Sequence, residues 1–448
     1  MLRKTTALLA ALAAAAATAL VDLRADDPTG SSLAAGALYA PGQVLVQLTA
    51  AAHSGGDARA EQVIRSGGGL PVRRSAFTAG FYLAQLGAHD SVEEAVRRFR
   101  TMVDVEYAVP NGLARSFFTP NDPEFATLQW NMRLLDMERG WDIQRGSSAV
   151  AVAIVDSGVA FEDFLDPAGI LFRTAPDWAS ATFLTGFDAV YGRGTHANDL
   201  TGHGTHVAST VAEATDNGLG VAGLAFGCAL VPIRVLNELG VGTFFDIADG
   251  IDYATTLTRD GQRAVRVINL SLGAPADTQD IGEPVRRAIE RAVAAGIVVV
   301  AATGNENRGV AFPALMPEVI AVGAVDRNKR RASYSNFGPE VDVVAPGGDN
   351  IDTVLADAVW QQSYAGFPFG QPSFGQFALT PSQGTSMAAP HVAATAALLV
   401  SQGIEDPLLV RAAIESTAED LGPAGFDSQF GHGLIRPVEA LRGLGLSR

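Results

Sequence analysis

Asp156, His203 and Ser386 are residue types that together can perform acyl transfer, and each lies close to glycine residues. Such a reaction needs a hydroxyl nucleophile, an imidazole that takes its proton and a carboxylate that orients the imidazole. Neighbouring glycines leave room for a substrate backbone to approach. The sequence therefore predicts that these three residues are catalytic in an acyl-transfer enzyme, which would need no cofactor for catalysis.

Each of these residues also has a purely structural interpretation. An Asp at the end of a strand often forms a turn, and a Ser at the start of a helix is often its N-cap. His203 and His206 could also be a zinc pair, but no Glu lies between them in a metalloprotease arrangement and no third ligand is evident. Because the three motifs occur together on suitable element ends, serine catalysis is favoured over these alternatives.

The elements that must position these residues alternate between strand and helix patterns from residue 149 onward. Predicted strands cover residues 149–155, 230–236, 265–272, 297–303 and 319–325, and predicted helices cover residues 205–214, 283–295 and 385–402. This alternation predicts an α/β fold in which a mostly parallel sheet is covered by helices on both faces. Functional groups gather at the carboxyl ends of such strands and at helix N-termini, where the three catalytic candidates lie.

Before these motifs, the sequence predicts a small unit that carries no catalytic residue types. Predicted strands cover residues 43–49, 80–86 and 103–109, and predicted helices cover residues 57–66 and 91–102. The second helix is amphipathic, with Ser91 as its N-cap and with Val92 and Phe99 on its apolar face. The pattern predicts a β-α-β-β-α-β, ferredoxin-like α+β unit with two helices on one face of a small sheet.

The composition excludes several classes of protein. The chain has 448 residues, of which 48% are hydrophobic, and its formal charge is −16. Such a composition is typical of globular units with a core, and the negative charge argues against nucleic acid as a partner. The single cysteine, Cys228, excludes an intrachain disulfide and a metal site built from cysteines.

The first residues fit a secretory signal peptide. Arg3 and Lys4 precede an uncharged stretch rich in Ala and Leu, and residues 17–19 fit the small-x-small cleavage pattern. A membrane anchor is the alternative, but the stretch is short and weakly apolar for a span. The pattern predicts a signal at residues 1–19, with residue 25 as a later cleavage position. The mature protein is then secreted, extracellular or periplasmic, and has no membrane attachment.

The catalytic motifs resemble those of the subtilisin-like serine peptidases, the subtilases, and the surroundings of Ser386 are especially specific. Further matches follow in the same order, at residues 269–273, 304–306, 334–338, 343–347 and 431–435. Residues 105–111 resemble the inhibitory propeptide of that family. The resemblance covers nearly the whole chain after the signal at 1–19, and it implies an inhibitory propeptide at 26–115 with its core at about 40–111 and a subtilisin-like catalytic domain at 116–448.

This resemblance implies a secreted serine endopeptidase that is made as a self-processing zymogen and hydrolyses peptide bonds through an acyl-enzyme. Its partners would be protein or peptide substrates and its own propeptide as inhibitor, and the enzyme is expected to be a monomer. By resemblance, the Asn305 side chain and the Ser386 backbone N–H are the oxyanion donors. A non-catalytic peptide-binding protein, a narrow processing protease and, for the first unit, a permanent binding domain are the alternatives left open.

The resemblance also implies where a substrate binds. The segment that pairs with the substrate backbone would be formed by Ser271, Leu272 and Gly273. The opposite wall of the pocket for the residue before the cut would be formed by Ala301, Ala302 and Thr303. Large apolar side chains are expected in this pocket, although Glu306 near its rim could admit a basic one. Residues 347–384 form a longer segment than is usual in the family, and a packed surface loop is favoured over a substrate lip.

A structural calcium site is implied as well. By resemblance, its ligands are Asp122, Thr215, Asn217, Leu219 and Val221. Oxygen ligands on a turn suit Ca²⁺. The family has an additional carboxylate after the catalytic Asp, and Asp163 and Asp166 are both candidates for it in this sequence.

Overall fold

The computed structural model describes residues 39–113, 118–192, 194–278, 280–349, 355–368, 370 and 372–443. These residues form two compact units, divided between residues 116 and 117, and each unit is considered by itself. The predicted signal peptide and the residues at the predicted end of the propeptide, 114–117, lie outside the described residues. Among the described helices, none is long and apolar enough to cross a lipid bilayer.

The first unit is an antiparallel sheet with helices packed against it. Its elements are β1 (Tyr39–Leu48), α1 (Ala50–Ser54), α2 (Asp57–Ser66), β2 (Gly69–Arg74), β3 (Phe81–Leu86), α3 (Val92–Arg100) and β4 (Val105–Gly112). The strand order is β2-β3-β1-β4, and every neighbouring pair is antiparallel. This is the predicted β-α-β-β-α-β order, with α1 as an additional short helix.

Helices α2 and α3 share one core with this sheet. Val44 of β1 is fully buried, in the same cluster as Ile64 of α2 and Phe99 of α3. The Ser91 hydroxyl accepts the Glu94 N–H and so caps α3, as its position in the sequence predicts. The apolar faces of both helices therefore cover the sheet.

The second unit is built on one parallel sheet. Its strands are β5 (Ala151–Asp156), β6 (Phe164–Leu165), β7 (Leu171–Phe172), β8 (Thr182–Phe183), β9 (Phe187–Asp188), β10 (Ala229–Arg234), β11 (Thr258–Arg259), β12 (Gln262–Arg263), β13 (Val265–Leu270), β14 (Val298–Ala302), β15 (Ile320–Val325), β16 (Val343–Pro346), β17 (Val359–Tyr364) and β18 (Phe377–Ser382). The main sheet has the order β16-β15-β14-β13-β5-β10-β8, with β9 also paired to β10, and all of these pairs are parallel. Its central strands are buried along their length, which explains their continuous apolar sequences.

Helices cover both faces of this sheet. They are α4 (Phe125–Leu128), α5 (Trp130–Leu134), α6 (Met137–Ile143), α7 (His203–Ala212), α8 (Phe244–Thr256), α9 (Glu283–Ala294), α10 (Thr385–Ser401), α11 (Pro407–Thr417) and α12 (Pro437–Leu441). Helices α8 and α9 pack against each other, while α7 and α10 form a second group. The predicted α/β class with a mostly parallel sheet is confirmed.

Helix α10 lies in the interior of the second unit. Nearly all of its residues are buried, and it contacts α7 and strands β13, β14 and β15. A helix that is apolar on all sides is stable only when other elements surround it. Because α10 begins at Thr385, its buried packing fixes the position of Ser386 in its first turn.

Strands β17 and β18 form an antiparallel hairpin within the segment that is long for the family. β17 is buried and contacts α7, and Tyr364 at its end packs on Phe374 and Phe377. The tip of the hairpin, with Phe367 and Pro368, lines a cavity that also contains His203. The packed-loop interpretation therefore describes the base of the hairpin but not its tip.

Candidate active site

Asp156 and His203 meet at the carboxyl edge of the sheet. Asp156 is the last residue of β5 and is fully buried, and His203 is the first residue of α7. The distance from Asp156 Oδ1 to His203 Nδ1 is 2.7 Å. With a proton on Nδ1 donated to Asp156, the Nε2 atom of His203 is free to accept a proton from a nucleophile.

The charge of Asp156 decides the protonation behaviour of His203. Burial of the imidazole lowers the pKa of His203, but the charge of Asp156 and its hydrogen bond raise it by more. The pKa of His203 therefore lies above its ordinary value of 6.5. An imidazolium that is stabilised in this way favours the transfer of a proton to the ring during nucleophilic attack.

A buried carboxylate that the sequence analysis did not single out, Asp199, holds this part of the site. Its Oδ1 accepts the Ser157 hydroxyl at 2.8 Å and the Gly202 N–H at 3.0 Å, and its Oδ2 accepts the Thr205 N–H at 2.8 Å. Asp199 thus joins the residue after Asp156 to the first turn of the helix that starts at His203. Its signal in the sequence is an acidic residue just before a helix start, where the helix dipole favours negative charge.

Ser386 lies in the first turn of α10, close to the segment that follows β13. Its hydroxyl donates to the Ser271 carbonyl at 3.2 Å, and the Ser271 hydroxyl donates to the Ser386 carbonyl at 2.8 Å. No hydrogen bond joins Ser386 to His203 in the described residues. Catalytic hydrogen bonds are often long in proteins without substrate and shorten when the substrate binds.

Asn305 lies beside Ser386 and points its amide group at the same space. Its Oδ1 accepts the N–H and the hydroxyl of Thr385, both at 2.9 Å, so its Nδ2 faces away from Thr385. A Cβ atom on Gly384 would lie 3.5 Å from this Nδ2. The Ser386 N–H has no acceptor among the described residues, as expected for a helix start. Two donors therefore face one small cavity, which is the arrangement of an oxyanion site.

That small cavity, of about 180 Å³, is the candidate pocket for the residue before the cut. It is lined by residues of both predicted walls, including Leu272, Gly273 and Ala302. Ala301 and Thr303 are fully buried and do not line it, because side chains of a strand alternate and these two point to the other side from Ala302. The predicted segments therefore border this cavity, but the sequence did not indicate which of their side chains face it.

Glu306 and Arg308 lie at the rim of the same cavity. Glu306 Oε2 accepts the Asn305 N–H at 3.1 Å and the Asn336 side-chain amide at 2.9 Å, and it lies 3.8 Å from Arg308 Nε. The carboxylate is therefore already hydrogen-bonded and close to a cation. The expected preference for apolar side chains fits this rim better than a preference for basic ones.

The loop proposed for calcium brings two acidic residues together with an Asn. Asp122 accepts the Asp216 N–H at 2.8 Å, and the Asn217 side chain donates to Asp177 Oδ1 at 2.6 Å. Asp177, in the segment between β7 and β8, thus places a carboxylate next to this loop. Asp163 and Asp166, the candidates from the sequence, have other partners. Asp163 pairs with Arg173, and Asp166 accepts the Ile170 N–H.

A further buried acid, Glu213, lies next to Asp177. Glu213 Oε1 and Asp177 Oδ2 are both buried without a hydrogen-bond partner in the described residues. A Cβ atom on Gly220 would clash with Asp177 Oδ2 and would lie 3.5 Å from Glu213 Oε1, so both oxygens face the same glycine. Burial raises the pKa of Asp177 to about 6 and that of Glu213 well above its ordinary value.

These carboxylates fit a divalent cation chemically. Unpaired buried carboxylate oxygens are costly, and Ca²⁺ binds such oxygens together with amide and backbone carbonyl oxygens. The described residues hold no set of three or more His, Cys, Asp or Glu side chains arranged for a metal ion. Backbone carbonyls, as predicted for Thr215, Leu219 and Val221, would therefore have to complete the site. The Thr215 hydroxyl itself holds the turn by accepting the Gly223 N–H at 3.0 Å.

His206 and His391 are buried structural residues. His206 Nε2 lies 3.2 Å from the Val359 carbonyl oxygen, and His391 Nε2 lies 2.9 Å from the Asn131 side-chain amide. Burial lowers the pKa of His206 to about 3 and that of His391 to about 4, so both are neutral at physiological pH. Among the described residues, the hydrogen-bond partners of both rings are backbone carbonyls and an amide, as expected for structural histidines.

Comparison with known protein families gives two matches. The model described as the subtilase family, peptidase S8, matches residues 147–433, and the model described as the fervidolysin N-terminal prodomain matches residues 25–111. The predicted family resemblance and the predicted N-terminal prodomain are confirmed by these matches.

The sequence is similar to two named serine proteases. It is 37% identical over 352 residues to the thermophilic serine proteinase of Bacillus sp. (strain AK1), covering 78% of this chain and 76% of that protein. It is 36% identical over 309 residues to thermitase of Thermoactinomyces vulgaris, covering 69% of this chain and 94% of that protein. A solved protease structure from Pseudoalteromonas arctica matches with a TM-score of 0.61 and 34% identity, covering 73% of this chain and 99% of that one.

Proposed function

This chain belongs to the subtilase family of serine proteases, and we propose that it is an endopeptidase that acts through Asp156, His203 and Ser386. The observation that carries the proposal is the 2.7 Å contact between Asp156 and His203 at the same sheet edge as Ser386. Hydrolysis of peptide bonds is the chemistry of the family. The positions of the side chains support the residue roles that are proposed for this chain.

In this mechanism His203 Nε2 takes the proton of the Ser386 hydroxyl while Oγ attacks the substrate carbonyl carbon. The negative charge that develops on the carbonyl oxygen is stabilised by the Asn305 amide and the Ser386 N–H. Asp156 stabilises the imidazolium, which then gives its proton to the leaving amine. Water repeats the sequence on the acyl-enzyme and releases the second product.

The substrate binds as an extended chain beside Ser271, Leu272 and Gly273. Backbone hydrogen bonds of the β type provide affinity without selecting a sequence, and pockets for alternate side chains provide selectivity. The residue before the cut occupies the cavity of about 180 Å³ next to Ser386 and Asn305. The apolar wall at Ala302 and the pairing of Glu306 with Arg308 at the rim favour a large apolar side chain there.

A fluorophosphonate probe tests the nucleophile. The wild-type protein should be labelled, and Ser386→Ala should lose both the label and turnover, with a fall in kcat of about 10⁴ to 10⁶. Ser401→Ala, at the far end of the same helix, is the matched control and should keep both. A wild-type protein that takes no label, or peptide hydrolysis that survives in Ser386→Ala, would identify a binding protein or another mechanism.

The N-terminal part is proposed to be a signal at residues 1–19 followed by an inhibitory propeptide at 26–115, so that the protease is secreted as a monomer. The prodomain match over residues 25–111 supports the second part. In Ser386→Ala the propeptide should stay attached, because its removal is self-catalysed. Sequencing the N-terminus of secreted wild-type protein should place the cut between residues 112 and 121. Active mature enzyme that still contains residue 40 would favour a permanent binding domain.

A structural Ca²⁺ is proposed at Asp122, Asp177 and Asn217, with the carbonyls of Thr215, Leu219 and Val221. When bound, the ion neutralises buried carboxylates and ties the loop to the segment before α4. The unpaired oxygen of Asp177 supports this site. It plays no part in the chemical steps at Ser386.

A further inference from the structure

The β17–β18 hairpin reaches the catalytic histidine. Phe367, near the tip of the hairpin, has its ring centroid 6.4 Å from that of His203, with the two rings nearly perpendicular. It also lies 5.8 Å from the ring of His206. Phe367 is the aromatic side chain that the described part of the hairpin presents to this end of α7.

The position of this tip is fixed by hydrogen bonds at its base. The Ser363 hydroxyl donates to the Gly202 carbonyl at 2.6 Å, and the Tyr364 hydroxyl donates to the Asp199 carbonyl at 3.2 Å. A Cβ atom on Gly202 would lie 3.1 Å from Phe367 Cβ, so glycine at this position allows the close approach. The hairpin is therefore held against Asp199 and Gly202, in the segment that leads into α7.

The tip forms one wall of a large cavity. This cavity, of about 660 Å³, is lined by His203, by residues 271–275 and by the tip residues Phe367, Pro368, Gly370 and Pro372. Leu236 and Leu239 line it as well, so its walls are largely apolar. Residues 272–275 also line the small cavity beside Ser386, which places the two cavities along the same strand-like segment.

An extended substrate determines which side chains enter each cavity. Successive side chains of an extended chain point to opposite sides. If the residue before the cut enters the small cavity, the second residue before the cut points away from it, toward His203 and the large cavity. There it meets the wall that the hairpin provides.

We propose that Phe367 is a specificity-determining residue that contacts the side chain of the second substrate residue before the cleaved bond and selects an apolar side chain there. The ring of Phe367 and the side chains of Pro368 and Leu236 offer apolar contact, whereas Glu238 in the same lining disfavours an acidic substrate residue. This inference rests on the proposed endopeptidase function. It assigns to the long segment a role in selecting substrates.

The test compares two chromogenic tetrapeptide amides that differ in one residue. Both have Phe before the cut, and they have Leu or Asp as the second residue before it. Wild-type enzyme should prefer the Leu peptide in kcat/KM, and Phe367→Ala should reduce that preference about tenfold, which is typical for loss of apolar contact in a pocket. Phe367→Leu should restore most of it. The ratio of the two rates is the readout, so a change in total active enzyme does not affect it.

Two further measurements separate contact with substrate from other effects. Phe374→Ala is the matched control, because Phe374 lies in the same hairpin, packs on Tyr364 and on Phe172 of β7, and does not line the cavity; it should keep the wild-type preference. An acetylated phenylalanine ester has no second residue before the cut, so its hydrolysis reports on the catalytic step at His203 without contact between Phe367 and a second side chain. Equal losses of Phe367→Ala on the ester and on both peptides would show that Phe367 supports His203, and an unchanged preference would show that it is not a wall. Either result overturns the inference, while fluorophosphonate labelling of the same samples tests the proposed function separately.

Discussion

Asp199 and the pair Asp177–Glu213 are buried acids in the same unit, but their oxygens have different partners. Both oxygens of Asp199 accept hydrogen bonds from N–H and hydroxyl groups, as described above. One oxygen each of Asp177 and Glu213 has no donor in the described residues. Burial is equally complete in both places, so the difference lies in how the negative charge is compensated.

The comparison indicates a division of roles. Asp199 is compensated by the fold itself, so the catalytic edge of the sheet should be formed without any ion. One oxygen each of Asp177 and Glu213 has no donor among the described groups, and burial raises the pKa of both acids, so the stability of their loop should depend on the proposed cation. Catalysis and stability should therefore respond to different treatments.

After Ser386→Ala, the largest effect on the catalytic side is expected from Asp156→Asn. Loss of the charge leaves the His203 ring without the carboxylate that orients it and stabilises its protonated form, and kcat should fall about 10⁴-fold. Steady-state hydrolysis of a peptide amide measures this loss. Asp163→Asn is the control, because Asp163 is an exposed acid paired with Arg173. Near-normal kcat in Asp156→Asn would remove Asp156 from the mechanism.

Asn305→Ala tests the uncharged oxyanion donor at the catalytic edge of the sheet. Its bond to the carbonyl oxygen tightens only as charge develops, so kcat should fall about 10²- to 10³-fold while KM stays nearly unchanged. Full kinetic curves on one peptide amide separate the two parameters. A large rise in KM alone would instead identify Asn305 as a residue that binds the ground state of the substrate.

Removal of calcium tests whether the loop at Asp177 and Glu213 depends on a cation. A cation present at about 1,000 times its Kd stabilises the native state by about 4 kcal/mol, so chelator should shorten the half-life at high temperature. Initial rates at low temperature should barely change. Asp177→Asn should make the half-life insensitive to chelator, and Asp163→Asn should keep the wild-type response. A wild-type half-life that ignores chelator would rule out the site.

A smaller effect is expected when Asp199 becomes Asn. The first turn of α7 loses a charged acceptor, and a small displacement of His203 should lower kcat about 10- to 100-fold. Asp199 also raises the pKa of His203 through its charge. The base is active when neutral, so kcat/KM in the wild type should rise with pH through a midpoint above 6.5. In Asp199→Asn this midpoint should move to lower pH. An unmoved midpoint would limit Asp199 to a structural role.

The main sheet could be predicted from the sequence because its strands are buried on both faces. Strand β15 was predicted at 319–325 and lies at Ile320–Val325, and helix α9 was predicted at 283–295 and lies at Glu283–Ala294. Strand β2 was not located, because it is mostly exposed, contains Pro71 and lacks an alternating pattern. Helix α8 was missed although Thr243 and Asp246 form a capping box at its start, so its signal was available.

The candidate site was predictable where a short motif carries the chemistry. Asp156, His203, Ser386 and Asn305 lie at element ends that their own neighbours in sequence indicate. Asp177 and Glu213 could not be assigned, because an acid in a loop or on a helix is normally exposed, and only the tertiary fold shows that these two are buried together. The contact between the tip of the β17–β18 hairpin and the cavity at His203 could not be predicted for the same reason, because no local sequence pattern indicates which cavity a hairpin lines.

The position of α10 also has a consequence for the order in which the chain is synthesised. Ribosomes complete β5 and α7 long before they reach residue 386, and the faces of β13, β14 and β15 that α10 covers stay unfilled until then. A nascent chain that ends before α10 therefore contains the proposed base but lacks the proposed nucleophile, so we expect it to be inactive. Stalled chains that end before residue 384 should take no fluorophosphonate label. Chains that extend past α12 should be the first to take it, and label on the shorter ones would contradict this order.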